Sequence, residues 1–388
     1  MTRLVPDPDL EQLVRALNDE TPPQQEELQQ QAPQSLPEGN PLERMLIEMT
    51  QRGASDLLLI AGNPPIMRVG GRLAKTETVP LEANEVVALF SPLIAGRVRG
   101  QLETNGAADF SLRLASRRFR VNVHRQRGTL AAAIRSLPTE IPTLQQLNLP
   151  LTLAELVKPT RGLVLVCGPT GSGKTTTLAS LVGEINRNEQ RHIVTIEDPI
   201  EYEHRNARSI IEQIEIGRDA PSFAAALRSA LRQDPDVILV GEMRDLETVS
   251  IALTAAETGH LILSTLHTSD AAQAIHRIID VFPPGQQNQI KQQLALSLNA
   301  IVCQQLIPRS DNGGRAVAVE VMLANIAVRN HIRHDKLPQL ATEITIGKRQ
   351  GMISLEDSLA RLVRQGHITI DDARIRAPRP EELDSLLR

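Results

Sequence analysis

A chain of 388 residues with 41% hydrophobic content exceeds a single core, and at roughly 100–200 residues per domain it should hold two or three. No apolar run approaches the ~20 residues of a membrane span, and the opening Met-Thr-Arg-Leu-Val-Pro-Asp lacks a signal-peptide core, so a cytoplasmic protein without direct membrane insertion is expected. With 2% aromatic residues, one Tyr, no Trp and a net charge of −4, it offers neither stacking platforms nor a basic field, which argues against nucleic acid as a partner.

Residues 1–40 are rich in Pro and Gln, with Pro22-Pro-Gln-Gln-Glu-Glu-Leu-Gln-Gln-Gln31 in the middle, and only residues 10–17 suggest a short helix; the segment reads as a mostly disordered extension. Residues 41–49 form an amphipathic helix pattern, followed by strand patterns at 56–60 and 66–69, a Gly70-Gly71 turn, and a return strand from Arg72. Alternation at 109–114, 118–123 and 130–134 adds an antiparallel sheet, giving a small α+β domain over 41–137. Pro138, Pro142 and Pro150 punctuate a linker over 138–150 before a short helix at 151–157.

From Gly162 the pattern alternates strand and helix, with apolar strands at 163–167, 193–196, 237–240 and 261–264. This predicts an α/β, RecA-like core with a mostly parallel sheet over 151–308. Beyond Pro308 a strand at 316–321 precedes several amphipathic helices, one at 354–363, and residues 309–388 read as a mainly helical subdomain. Cys167 and Cys303 lie in apolar sequence and read as buried small hydrophobes; two cysteines build no zinc site.

The segment Gly168-Pro-Thr-Gly-Ser-Gly-Lys-Thr175 fits G-x-x-x-x-G-K-[ST] between a strand and a helix pattern, the context in which backbone N–H groups and a helix N-terminus converge on phosphate. Gly168, Pro169, Thr170, Gly171, Ser172, Gly173, Lys174, Thr175 and Thr176 are therefore the expected nucleotide contacts. Gly171 and Gly173 let the backbone curl, Lys174 reaches the β- and γ-phosphates, and the Thr175 hydroxyl can ligate Mg²⁺. Glu242, at the end of the 237–240 strand, stands where an acid meets the metal and the attacking water, and is the expected base or water-orienting group. Glu197-Asp-Pro-Ile-Glu201 places further acids past a strand, readable as metal-supporting or as surface charge. His267 ends another strand and is readable as structural or functional.

Glu197-Asp-Pro-Ile-Glu201, Gly241-Glu-Met-Arg-Asp245 and Ser264-Thr-Leu-His-Thr268 resemble, in the same order, the acidic box, Walker B end and histidine box of the ATPases of type II secretion and type IV pili. The similarity runs from about Pro41 to Leu387. The resemblance implies a Mg²⁺-dependent, homo-hexameric ATPase with a PAS-like N-terminal domain. It makes Glu201 and Glu242 the functional acids and His267 a γ-phosphate sensor or coupling residue. Arg120 and Arg135 match two arginines that this family carries on neighbouring N-terminal strands, where an always-charged fork can grip the γ-phosphate; Arg118, Arg125 and Arg127 read as solvent or interface charge.

The chain lacks the tetracysteine zinc module usual in pilus-assembly and secretion ATPases, which points to the retraction branch. Ala327-Val-Arg-Asn-His-Ile-Arg-His334 resembles that branch's Ala-Ile-Arg-Asn-Leu-Ile-Arg-Glu motif, with His331 in place of leucine and His334 in place of glutamate; Gly351-Met-Ile-Ser-Leu-Glu-Asp-Ser-Leu359 resembles the helix opening that follows it. Ala54-Ser-Asp-Leu-Leu58 departs from the family, which more often has a histidine two residues after the Asp. The implied role is a motor for type IV pilus retraction, peripheral at the inner-membrane base of the machine and working on an inner-membrane platform protein. The rivals are a pilus-assembly or secretion ATPase, a nucleotide-gated assembly factor with negligible turnover, and a RecA-like nucleic-acid motor.

Overall fold

The computed structural model describes residues 34–35, 39–115, 117–311 and 313–388; the expected helix at 10–17 and most of the expected extension lie outside them. The chain divides into two compact units, the first ending at Leu137 and the second running from Pro138 to Arg388.

In the first unit a seven-stranded sheet has the order β1-β5-β6-β7-β2-β3-β4. Its strands are β1 (Gln34–Ser35), β2 (Asp56–Ile60), β3 (Ile66–Val69), β4 (Arg72–Lys75), β5 (Ala107–Leu114), β6 (Arg117–Gln126) and β7 (Thr129–Ser136). All neighbours run antiparallel except β1 beside β5. Alternation decides the two faces. Leu57, Leu59, Phe119, Val121, Val123 and Ile134 are buried against Leu42, Leu46, Val86, Phe90, Val98 and Leu102 from helices α1 (Pro41–Gln51), α2 (Ala83–Phe90) and α3 (Gly96–Asn105). The intervening positions, among them Asp56, Arg120 and Arg135, fall on the other face. Sequence patterning does not reveal α2 and α3, because they are short and α3 buries only Val98 and Leu102 within a Gly- and Arg-rich run.

The boundary read at residue 40 needs one adjustment. Asn40 is the N-cap of α1: its Oδ1 accepts from Leu42 N at 2.9 Å, while its Nδ2 donates to Leu89 O at 3.1 Å, tying α1 to the end of α2.

The second unit is built on a sheet of order β10-β9-β11-β12-β8-β13-β14. Its strands are β8 (Gly162–Cys167), β9 (His192–Glu197), β10 (Ile210–Glu215), β11 (Val237–Val240), β12 (Leu261–Leu266), β13 (Leu298–Pro308) and β14 (Arg315–Leu323), all parallel to their neighbours except β14. Every residue of β8, β11 and β12 is buried, because helices cover both faces and a parallel sheet must be apolar on both. In β8, Leu163, Leu165 and Cys167 join one core cluster while Val164 and Val166 join the other.

The helices are α4 (Lys174–Asn188), α5 (Phe223–Ala230), α6 (Leu246–Glu257), α7 (Ala271–Asp280), α8 (Pro284–Ser297), α9 (Ile326–Arg333), α10 (Leu340–Ile346), α11 (Leu355–Arg364), α12 (Ile370–Arg376) and α13 (Pro380–Leu387). Segment 151–157 is a 3-10 helix. β10 and β13 are strands that the sequence pattern does not reveal. The expected division at 308/309 falls inside the β13–β14 hairpin, since β14 pairs with β13 from Ala300↔Leu323 to Pro308↔Arg315. Polar residues in β13, Gln304 and Gln305, mask its apolar pattern.

Asn40→Ala should lower unfolding stability by about 1–2 kcal/mol through loss of the cap and of the bond to α2, measured by urea unfolding. A change within about 0.5 kcal/mol, the ordinary surface range, would assign Asn40 no role in fastening α1.

Candidate functional site

The C-terminal ends of β8, β9, β11 and β12 bring together the loops at 168–173, 198–202, 241–245 and 267–270. The first loop leads into α4, whose N-cap is Gly173 with no side-chain cap. Ser222, Asp245, Asp270, Asn325, Ser354 and Thr369 each accept from a backbone N–H at the start of their own helices; α4, like α8, α10 and α13, has no such side chain, but it alone of these four follows a loop with glycine at 168, 171 and 173. The first N–H groups of α4 are left for another acceptor, at the positive end of a 15-residue helix. Ser172 Oγ is also buried there without a hydrogen-bond partner.

The curl of the loop depends on glycine. Gly168 (φ 146°) has room only for hydrogen, because a Cβ would stand 2.4 Å from Gln304 O and 2.5 Å from Ser172 Oγ. Gly173 (φ 90°) turns the chain into α4.

Lys174 is buried at 8% exposure, and its Nζ donates to Gly168 O at 2.8 Å and Pro169 O at 3.1 Å. Burial lowers its pKa, an effect opposed by nearby acidic groups that include Glu242. His267 follows β12 and stands between two charges: its Nδ1 is 3.5 Å from Lys174 Nζ and its Nε2 is 3.9 Å from Glu242 Oε2. Burial, then the charges of Lys174 and Arg244, depress the imidazole pKa against the pull of Glu242, so the ring favours the neutral form. Glu242 follows β11 and pairs with Arg244 at 2.7 Å. The turn that presents it is pinned from β12, where Ser264 Oγ donates to Val240 O and Thr265 Oγ1 to Gly241 O, both at 2.7 Å. Lys174, His267 and Glu242, far apart in sequence, thus form one row across β8, β12 and β11.

The acidic segment after β9 is fastened to α4. The hydroxyls of Thr176 and Tyr202 meet at 2.9 Å, which ties Tyr202, the neighbour of Glu201, to the first turn of α4. Gln213 Nε2 donates to Tyr202 O at 2.9 Å and to Glu197 Oε1 at 3.2 Å, and Thr195 Oγ1 donates to Glu197 Oε1 at 2.8 Å. Burial pushes the Glu197 carboxyl up to about 7 despite these donors, with Glu201 adding to the rise.

Thr175 lies half-buried in the first turn of α4, and Thr170 and Gly171 are exposed at the loop tip. Among the described residues no group of three His, Cys, Asp or Glu could hold a metal. The Thr175 hydroxyl and the Glu242 carboxylate are oxygen donors, the chemistry that Mg²⁺ prefers, since it keeps several waters and takes further ligands from phosphate.

Arg120 and Arg135 belong to the first unit. They are register partners on β6 and β7, hence side by side on its open face. Arg120 Nε is 3.4 Å from Asp109 Oδ1 and Arg135 Nε donates to Asp56 Oδ1 at 2.9 Å, both in solvent-exposed pairs that release easily. Gln304, Tyr202 and Arg244 escaped the sequence reading; a glutamine inside an otherwise apolar strand was the available signal for the first.

Against protein families, residues 110–365 match the profile described as Type II/IV secretion system protein. The chain belongs to the type II/IV secretion system protein family. Within this family it is similar to the type IV pilus retraction ATPase PilT of Pseudomonas aeruginosa, 44% identical over 87% of this chain and 98% of the relative. It is also similar to a twitching motility protein of Neisseria gonorrhoeae, 43% identical over 84% of this chain and 87% of the relative. Among solved structures, the crystal structure of the pilus retraction motor PilT with bound ADP matches at TM-score 0.83 and 46% identity, covering 89% of this chain and 99% of that one. The α/β fold expected for this family is therefore the fold observed.

Glu197 yields a pH prediction. Its folded pKa of about 7 lies above the ordinary 4.5, so the folded state keeps a proton that the unfolded state sheds, and stability falls as pH rises from about 4.5 to about 7. Glu197→Gln should therefore stabilise the protein at pH 8 by on the order of 1–3 kcal/mol and give no such gain below pH 4. Equal effects at both pH values in thermal unfolding would contradict a buried, proton-retaining Glu197.

Proposed function

We propose that this chain is an ATP-hydrolysing motor of type IV pilus retraction, a homo-hexamer that works peripherally at the cytoplasmic face of the inner membrane on a platform protein of the pilus machine. The observation that carries the reading is the uncapped, glycine-wrapped start of α4 facing the row Lys174, His267 and Glu242. The retraction branch is supported by the similarity to PilT over nearly the whole relative and by the two-cysteine composition, which leaves no tetracysteine module.

In this reading the phosphates of ATP accept from the N–H groups of residues 171–176, and Lys174 Nζ exchanges its two carbonyl partners for phosphate oxygens, a charge-assisted gain. Thr175 and Glu242 would hold Mg²⁺, which would supply positive charge to the phosphates. Glu242 gives up Arg244 to orient a water for in-line attack. The His267 ring lies between Lys174 and Glu242 and reports whether a γ-phosphate is present, a role it shares with Glu201. Arg120 and Arg135 leave Asp109 and Asp56 for the γ-phosphate when the ring closes, and closure turns hydrolysis into pilus disassembly.

Lys174→Ala should abolish ATP binding or nearly so, whereas Glu242→Gln should bind ATP and release phosphate at least ~100-fold more slowly, the scale of lost general-base assistance. Near-normal turnover by Glu242→Gln sinks the assignment. Arg120→Ala and Arg135→Ala should each lower kcat at least ~10-fold on the assembled ring while changing ATP affinity far less, the pattern of a contact made in the transition state. Arg125→Ala is the control, and equal damage there would mean general loss of positive charge. In cells, deletion should leave excess unretracted pili; bald cells would transfer the chain to assembly.

A further inference from the structure

We infer that Gln304 is a positioning residue for nucleotide, a buried amide that sets the shape of the phosphate-binding loop. The inference rests on the reading of that loop as an ATP site.

Gln304 sits on β13, which is hydrogen-bonded to β8, and only 1% of it is exposed. A glutamine so placed must satisfy both ends of its amide or lose stability. Both ends are used on the loop. Nε2 donates to Ser172 O at 2.6 Å, and Oε1 accepts from Thr177 Oγ1 at 2.9 Å. The two bonds fix which way the amide points and hold the last turn of the loop to the first turn of α4. The backbone of Gln304 meets the loop as well: its carbonyl oxygen lies 2.4 Å from the point a Gly168 Cβ would occupy, and Nε2 is 3.2 Å from the corresponding point on Gly173. One residue therefore touches the loop at its entry, at Ser172, at its exit and in the helix that follows, and neither of its side-chain hydrogen bonds uses a backbone N–H of the loop.

Donation to Ser172 O also orients the peptide that joins Ser172 to Gly173. Because a peptide is planar and its C=O and N–H point oppositely, holding Ser172 O down onto Gln304 turns the Gly173 N–H the other way, toward the mouth of the loop. Gln304 touches no reacting atom. Its effect on catalysis passes through the loop, where a misplacement of about 1 Å costs up to ~100-fold in rate.

Gln304→Met keeps the shape of the side chain and removes both bonds. Gln304→Glu tests the chemistry reversibly, since a neutral carboxyl has a donor and an acceptor like the amide, while a carboxylate sets an acceptor against Ser172 O. Burial should raise its pKa into an accessible range. The experiment is calorimetric titration of the full chain with ATP and ADP, phosphate release, and melting without nucleotide, from pH 6 to pH 8.

The expected result for Gln304→Met is ~10-fold or greater loss of affinity for both nucleotides and a similar or larger fall in kcat, with nucleotide-free melting within a few degrees of the parent. Gln304→Glu should behave like Gln304→Met at pH 8 and recover toward the parent, measured at the same pH, as pH falls to 6. Parent-like affinity and kcat in both variants overturn the inference. So does a loss that merely follows a collapse of nucleotide-free melting and shows no recovery at pH 6. If the parent chain itself fails to bind ATP, the ATP-site reading is what falls.

Discussion

The backbone at the start of α4 is the constraint on which the second unit depends. Six helices of the second unit start on an Asp, Asn, Ser or Thr cap, whereas α4 starts on Gly173 at the end of a glycine-rich loop, so its first N–H donors, together with Lys174, are left for an anionic ligand. Positive φ at Gly168, Gly171 and Gly173 makes the curl of that loop possible, and crowding beneath Gly168 makes it specific.

Sheet order does the rest. With β8 flanked by β12 and β13, the loop after β8 receives His267 from one side and Gln304 from the other; β11 and β9 then add Glu242 and the segment from Glu197 to Tyr202. Residues more than a hundred positions apart meet because parallel strands all end at one edge. A second buried carboxyl continues this pattern on the far side. Glu320 on β14, pushed up to about 7 by burial, accepts from Ala271 N at 3.0 Å at the start of the helix after His267. Nearby, Glu356 on α11 holds Arg379 through both carboxylate oxygens, at 3.2 and 2.9 Å. The C-terminal helices thus rest on the same sheet that carries the site.

What the sequence made legible follows from local rules. The phosphate loop, the strands before it and after it, and the acids at strand ends carry their signals within a few residues; Arg120 and Arg135 were expected on neighbouring strands, and only the register of β6 and β7 sets them side by side. Less was legible where the decisive contact is distant. Gln304 and Gln305 break the apolar run of β13, so a central strand looked like a boundary, and the division at 308 followed from that. Tyr202 reads as an ordinary aromatic until its hydroxyl is seen against Thr176. Glu197 looked interchangeable with Glu201, yet burial separates them. Family resemblance supplied the roles of His267 and the two arginines, which residue type alone left open.

The central claim is that the donors of this loop exist to hold the phosphates beyond the first. The most direct measurement is the affinity of the full chain for ATP, ADP and AMP by titration calorimetry in the presence of Mg²⁺. ATP and ADP should bind while AMP binds at least ~100-fold more weakly, because the β-phosphate meets the charge-assisted donors of the loop and Lys174. Comparable affinity for AMP would mean that the uncapped start of α4 does not grip phosphate, and the account would fail at its base.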